Sequence, residues 1–209
     1  MTPALVDLAR ELCAGADATA KPLKFYAIYD RYFSAFDGES IKFLELGVHT
    51  GESLKVWASY FPNGTIVGLD LAKPGPDFSA FPNIAYESAD QADKSRLGAI
   101  CKAHAPEGFD IIIDDASHIG HASAASYMAL FPKLKSGGLY IIEDWGTGYH
   151  DNWPDGGTEQ SIGRDASAST MLKRRGGNRD RKLSTIRLRY RTGEPPGGAR
   201  GRAGPRIRR

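Results

Sequence analysis

Hydrophobic positions change period along this chain. Near the N-terminus, Leu5, Leu8 and Leu12 recur at steps of three and four, and so do Phe25, Ile28, Tyr29, Tyr32 and Phe33. Each set lines one face of a helix, and Asp37-Gly38 ends the second helix. From residue 41, short apolar runs alternate with amphipathic segments. Ile41–Leu46, Thr65–Leu71, Asn83–Glu87, Phe109–Asp114 and Gly138–Glu143 read as strands, while Glu52–Phe61, Lys94–His104 and Ile119–Leu134 read as helices. The runs at 109–114 and 138–143 are unbroken, as strands buried on both faces are. Strands alternating with helices over short loops predict an α/β fold, with a parallel sheet covered by helices on both faces.

Beyond residue 144 the pattern decays. Thr147–Gly157 reads as a loop, Ser161–Arg174 as a helix and Leu183–Tyr190 as a weakly alternating edge strand. Residues 193–209, GEPPGGARGRAGPRIRR, hold too little apolar surface to fold alone. The expected division is N-terminal helices packing on the core (1–38), a cofactor-binding core (39–160), a C-terminal helix and strand (161–192) and a basic, disordered tail (193–209).

Charge sharpens that division. The net charge of +2 hides 15 Lys+Arg against 3 Asp+Glu in residues 161–209, leaving 12 against 22 in residues 1–160. No apolar run is long enough for a membrane-spanning helix, and the acid-bearing start MTPALVDLARELC shows no secretory pattern. Cys13 and Cys101 are isolated and read as buried thiols in a reducing, cytoplasmic setting.

Two constellations carry chemistry. In Lys42-Phe-Leu-Glu-Leu-Gly-Val-His-Thr-Gly-Glu-Ser53 a strand runs into a Gly47-x-x-x-Gly51 turn and then a helix. Such turns sit where open α/β sheets bind ligands, although a tight strand–helix connection needs the same glycines. Glu45 beside the turn would repel a pyrophosphate but could hold an ammonium or hydroxyl group, so a cofactor without phosphates is expected. Asp70, 23 residues after Gly47 at the end of the second strand, is placed for the ribose hydroxyls of an adenosine; the alternative is a helix N-cap or a solvated loop acid. Asp90, in Ser88-Ala-Asp-Gln91, is placed to reach the adenine amino group.

The second constellation is Phe109-Asp-Ile-Ile-Ile-Asp-Asp-Ala-Ser-His118 with Leu134-Lys-Ser-Gly-Gly-Leu-Tyr-Ile-Ile-Glu-Asp144. Neighbouring parallel strands lie about 4.8 Å apart, so Asp114, Asp115, Glu143 and Asp144 are expected to crowd into one cleft. Carboxylates that close repel one another, and a hard divalent cation such as Mg²⁺ relieves this. The alternative is that the acids cap helices or pair with lysines, of which few lie near these strand ends in the sequence. His118 could accept the proton of a hydroxyl nucleophile beside such a cation. His49 is expected to line the pocket without a role, and His121 to lie on the surface.

Together, the glycine turn, Asp70, Asp-Asp-x-Ser-His, Lys-Ser-Gly-Gly and Glu-Asp resemble the metal-dependent sugar O-methyltransferases of antibiotic biosynthesis, of the mycinamicin and macrocin type. These are class I S-adenosylmethionine-dependent methyltransferases. The resemblance covers roughly residues 40–155. It implies a Rossmann-like sheet ending in an antiparallel hairpin, with S-adenosylmethionine and Mg²⁺ as cofactors and a small-molecule hydroxyl as acceptor. It implies Asp115, Glu143 and Asp144 as metal ligands and His118 as base. Glu45, Gly47, Gly51, Ser53, Asp70, Asp90, Gln91 and Asp114 would form the cofactor site, with Glu45 and Asp70 at the amino-acid and ribose ends. Trp145, Tyr149 and Trp153 would lie in a covering loop.

Where that family completes its sheet with an apolar helix and hairpin, this chain turns to Arg-Arg-Gly-Gly-Asn-Arg-Asp-Arg, so the C-terminal part of the sheet is expected to be incomplete. A shifted or truncated reading frame ranks first as explanation, ahead of an inert disordered tail and of an RNA-binding tail. An NAD(P)-dependent oxidoreductase shares the strand–turn–helix but needs Gly-x-Gly-x-x-Gly. An inactive cofactor-binding protein is the other alternative. Oligomeric state is not legible in the sequence.

Overall fold

A computed structural model describes residues 4–13, 21–73 and 75–145, with the backbone of two further strands at 169–174 and 184–189. Its twelve main elements are α1 (Leu5–Leu12), α2 (Leu23–Phe33), β1 (Lys42–Leu46), α3 (Glu52–Tyr60), β2 (Thr65–Asp70), β3 (Ile84–Ser88), α4 (Lys94–His104), β4 (Phe109–Asp114), α5 (Gly120–Leu130), β5 (Leu134–Ile142), β6 (Ser169–Arg174) and β7 (Ser184–Arg189). The sheet order is β3-β2-β1-β4-β5-β6-β7. The first five strands are parallel, and β6 and β7 are antiparallel.

The period of two sorts the side chains. Phe43, Ile111, Ile113, Leu139 and Ile141 share one cluster with α1, α2 and α3. Leu44, Leu46, Ile112, Tyr140 and Ile142 share the other with α4 and α5. Trp57 of α3 centres the first layer. Its ring lies 5.3 Å from Tyr26, 5.6 Å from both Tyr29 and Phe33, and 5.5 Å from Phe43. Aromatic pairs at such separations add about 0.5–1.5 kcal/mol each beyond their area burial, so α2 is fastened to the sheet through Trp57.

Three elements differ from the sequence reading. The helix expected over Ile119–Leu134 stops at Leu130 in a 3-10 turn containing Pro132, which lacks the N–H a continuing α-helix needs. Leu134 then opens β5, earlier than Gly138. Ser169–Arg174 belongs to a strand, not to the helix expected over 161–174: β5 offers an open row of backbone donors and acceptors, and pairing from Leu139↔Arg174 to Ile142↔Met171 satisfies it. With the expected edge strand found at Ser184–Arg189, the end of the sheet that was expected to be incomplete carries an antiparallel pair. The expectations for Thr147–Gly157 and the tail at 193–209 fall outside the described residues.

Candidate active site

A cleft of about 660 Å³ opens at the carboxyl ends of β1, β2, β4 and β5. Its floor is the glycine turn. Gly47 has φ +87°, and a Cβ there would lie 2.1 Å from the Asp115 carbonyl oxygen, so only glycine lets the turn nest against the β4 loop. Gly51 has φ +92° and caps α3 in the left-handed region. It packs against the Phe78 ring and is not on the cleft wall.

Asp70 braces this turn. Its Oδ2 accepts hydrogen bonds from the backbone N–H of Val48 at 2.7 Å and of His49 at 2.9 Å, and its Oδ1 accepts one from Ala72 at 3.2 Å. Partial burial would raise its pKa, but the backbone donors outweigh that and hold the carboxyl below its ordinary value. Asp70 therefore fixes the floor as an anion while lining the cleft. His49 lines it too.

The second wall comes from β4 and β5, where strand parity separates Asp114 from Asp115 and Glu143, while Asp144 lies past the strand with a left-handed φ of 46° and escapes that alternation. Glu45 pairs in register with Ile113, and Ile113 with Ile141. Asp115 and Glu143, two residues beyond those isoleucines, therefore point to the face covered by α2 and α3. Asp114 points the other way. It is buried against α5, accepting from Ser126 Oγ at 2.5 Å and from Gln91 Nε2 at 3.2 Å, and burial pushes its pKa up. The expected crowd of four acids is thus three. Asp114 and Gln91 form a brace instead of a cleft wall, and Gln91 Oε1 also accepts from the Ser117 N–H at 2.9 Å. Asp90 is exposed, accepts from the Ala92 N–H, and does not line the cleft.

Glu45 likewise stays behind the wall. It is fully buried, with Oε2 accepting from Ser53 Oγ and the Trp57 indole, both at 2.9 Å. Burial lifts its pKa to about 7, against the pull of Lys21. Ser53 itself lines the cleft.

Lys21, just ahead of α2, has no place in the sequence reading, yet it sits at the centre of the acids. Its Nζ donates to Asp115 Oδ2 at 2.6 Å and to Glu143 Oε1, and lies 3.9 Å from Glu45 Oε1. Lysine pairing thus enters where few lysines were expected, because Lys21 is 94 residues from Asp115 in sequence and only the tertiary fold joins them. Burial alone would lower the Lys21 pKa, but the three carboxylates hold it well above its ordinary value. Tyr29 Oη also donates to Glu143 Oε1, at 2.6 Å. Burial and the Asp115 charge nevertheless push Glu143 up to about 8. One ammonium thus faces three acids, and their crowding and burial are relieved in part by protonation, as the raised pKa values of Glu45 and Glu143 show.

At the mouth, Asp115, His118 and Asp144 each offer a ligand atom, all within 4.8 Å of one another. His118 Nε2 lies 3.8 Å from Asp115 Oδ1 and 4.0 Å from Asp144 Oδ2. His49, His118 and Asp144 have left-handed φ of 49°, 55° and 46°, a conformation uncommon for side-chain-bearing residues and costly to hold. All three line the cleft. Hard carboxylate oxygens gathered this closely suit a divalent cation such as Mg²⁺. Trp145 packs beside the α4/α5 layer, while Tyr149 and Trp153 lie outside the described residues. His121 is exposed on α5, as expected. Cys13 and Cys101 are both free thiols, but Cys13 is only half-buried, near Tyr26.

No protein-family model matches the chain. The chain is 40% identical over 135 residues to mycinamicin VI 2''-O-methyltransferase of Micromonospora griseorubida, a match covering 60% of this chain and 32% of that protein. It is 36% identical over 151 residues to demethylmacrocin O-methyltransferase of Streptomyces fradiae, covering 69% and 36%. The solved structure of the MycE methyltransferase from the mycinamycin biosynthetic pathway, in complex with Mg, SAH and mycinamycin VI, superposes with a TM-score of 0.63 at 34% identity over 76% of this chain and 44% of that one. An O-methyltransferase from Bacillus cereus, at 14% identity and a TM-score of 0.52, shares the fold alone.

In fold and in sequence the chain resembles the class I S-adenosylmethionine-dependent methyltransferases. Within that class it is most usefully set beside the macrolide-sugar O-methyltransferases, although it spans only about a third of the length of the curated relatives it matches.

Proposed function

We propose that this protein transfers a methyl group from S-adenosylmethionine to a hydroxyl of a sugar or other small molecule, with Mg²⁺ held at the acid-ended strands. The observation that carries this reading is the meeting of the Asp70-braced glycine turn with Asp115, His118, Glu143 and Asp144 in one cleft. The relatives act on sugar hydroxyls of macrolides and tetracenomycins, by their names, and the MycE structure holds Mg and SAH.

In this reading Asp70 orients the ribose end of the cofactor while keeping the turn closed. Gly47 and Ser53 border the methionine end, and Glu45 acts from behind Ser53 by holding its hydroxyl. Asp115, Glu143 and Asp144 hold the cation, whose contribution is to lower the pKa of an acceptor hydroxyl. His118 takes up the hydroxyl proton through Nε2 as the acceptor oxygen forms its bond to the methyl carbon and the carbon–sulfur bond breaks. The β4 and β5 strand ends supply the positioning on which such a transfer depends. The free thiols favour a cytoplasmic setting, and among the described residues no helix is long and apolar enough to cross a membrane.

The test is calorimetric titration of the 209-residue chain with S-adenosylhomocysteine, followed by a methyl-transfer assay on a macrolide glycoside with and without EDTA. Saturable binding and EDTA-sensitive transfer are expected. No binding at all would defeat the cofactor assignment, and transfer that survives both EDTA and Asp115→Ala would defeat the metal assignment.

A further inference from the structure

We propose that Lys21 is an internal competitor of the divalent cation: its ammonium occupies the space between Asp115 and Glu143 in the metal-free protein and must withdraw before a cation can bridge those two carboxylates. This inference rests on the metal site proposed above and assigns a role to a residue outside it.

At the two oxygens that Lys21 holds, ammonium and cation exclude each other. Lys21 Nζ is hydrogen-bonded to Asp115 Oδ2 and Glu143 Oε1 at once. A Mg²⁺ ion shared by these carboxylates would sit about 2.0–2.1 Å from each oxygen. The ammonium and the ion would then overlap between the same two groups and repel each other. The Lys21 side chain is 4% exposed and Glu143 3% exposed, so bulk water does not stand in for either partner while the contact lasts. Glu143 is also fixed from behind by Tyr29 Oη. Its carboxylate is therefore the stationary partner.

Lys21 is the partner that can move. It precedes the first turn of α2, outside the helix, with Pro22 as the N-cap. Its ammonium is a point charge on a flexible four-carbon stem, and it borders the open cleft. Asp115 and Asp144, gathered at the mouth with His118 beside them, give an incoming ion a first foothold next to Lys21. Completing the site with Glu143 then requires the ammonium to leave. If the Lys21-in state dominates without metal, apparent metal affinity is reduced by the fraction of protein in the competent state. Removing the ammonium removes that reduction.

The experiment titrates Mn²⁺ into the wild-type chain and Lys21→Met, following free Mn²⁺ by electron paramagnetic resonance. The expected result is binding tighter by about tenfold or more in the variant. A parallel measurement needs no variant: reductive methylation of the wild-type chain, read by mass spectrometry, should modify Lys21 much faster at saturating Mg²⁺ than in EDTA. Mn²⁺ affinity equal or weaker in Lys21→Met overturns the proposal. Should that variant not fold, the methylation result decides, and a Lys21 rate indifferent to Mg²⁺ overturns it. Failure of the wild-type and variant chains alike to bind Mn²⁺ overturns the metal site and the competition together, whereas equal binding in both removes only the competition.

Discussion

Replacing Asp70 by alanine tests whether one carboxylate both closes the glycine turn and serves the cofactor. The substitution strips the backbone N–H groups of Val48 and His49 of an acceptor that now stands at 2.7 and 2.9 Å. Hydrogen bonds to a charged acceptor are worth about 1.5–3 kcal/mol each when buried. The His49 contact is exposed, so water can replace part of it, and a loss of about 2–3 kcal/mol is expected. For a chain of this size that lowers Tm by roughly 4–12 °C. The pH dependence has a defined sign. Asp70 is held below its ordinary pKa, so its stabilisation is present above the unfolded-state value and lost only as pH falls through the folded one. The Tm gap between wild type and Asp70→Ala should stay constant through neutral pH and close in strong acid. Differential scanning fluorimetry across pH measures this, and calorimetry should show S-adenosylhomocysteine binding weakened by about ten- to a hundredfold. Asp70→Asn, which keeps one acceptor oxygen, should fall between. A Tm and an affinity both unchanged in Asp70→Ala would refute the reasoning.

Three further outcomes are expected. Gly47→Ala places a Cβ 2.1 Å from the Asp115 carbonyl oxygen at a left-handed φ; denaturant unfolding should show a loss above about 3 kcal/mol, with S-adenosylhomocysteine binding lost, and a neutral result would show that the turn does not nest there. His118→Asn should lower kcat/KM for methyl transfer by about 10²- to 10⁴-fold while leaving cofactor affinity within a factor of a few, and an equal loss of cofactor binding would assign His118 to the cofactor. Glu45 and Glu143 are raised to about 7 and about 8. For an acid raised on folding, the stability present below its unfolded pKa is lost as pH rises through its folded pKa. In EDTA the Tm should therefore decline between about pH 5 and 8, and Mg²⁺ should reduce that decline; an unchanged slope with Mg²⁺ would show that no cation reaches these acids.

The five parallel strands and the helices between them were legible because their periods are local. Lys94–His104 coincides with α4, and Phe109–Asp114 coincides with β4, since its apolar centre Ile111–Ile113, buried on both faces, leaves no polar alternation to misread. Of the two C-terminal strands, β7 was legible as the alternating stretch 183–190 and β6 was not. Ser169–Arg174 has no strong preference of its own, and its strand state is set by the open edge of β5. In the site, motif spacing placed Asp70, Asp115, His118, Glu143 and Asp144 in one cleft. It could not separate Asp114 from Asp115, which differ by one residue and therefore by a whole sheet face.

By itself, the sequence determined the α/β class, the glycine turn and the two acid-ended strands, because each is encoded within a dozen neighbouring residues. Only the tertiary structure decided which acids meet. It turned Asp114 to Ser126 and Gln91, sealed Glu45 behind Ser53 and Trp57, and brought Lys21 across 94 residues to Asp115. Those outcomes depend on register between strands and on how α2 packs over Trp57, and neither quantity is carried by any local stretch of the chain.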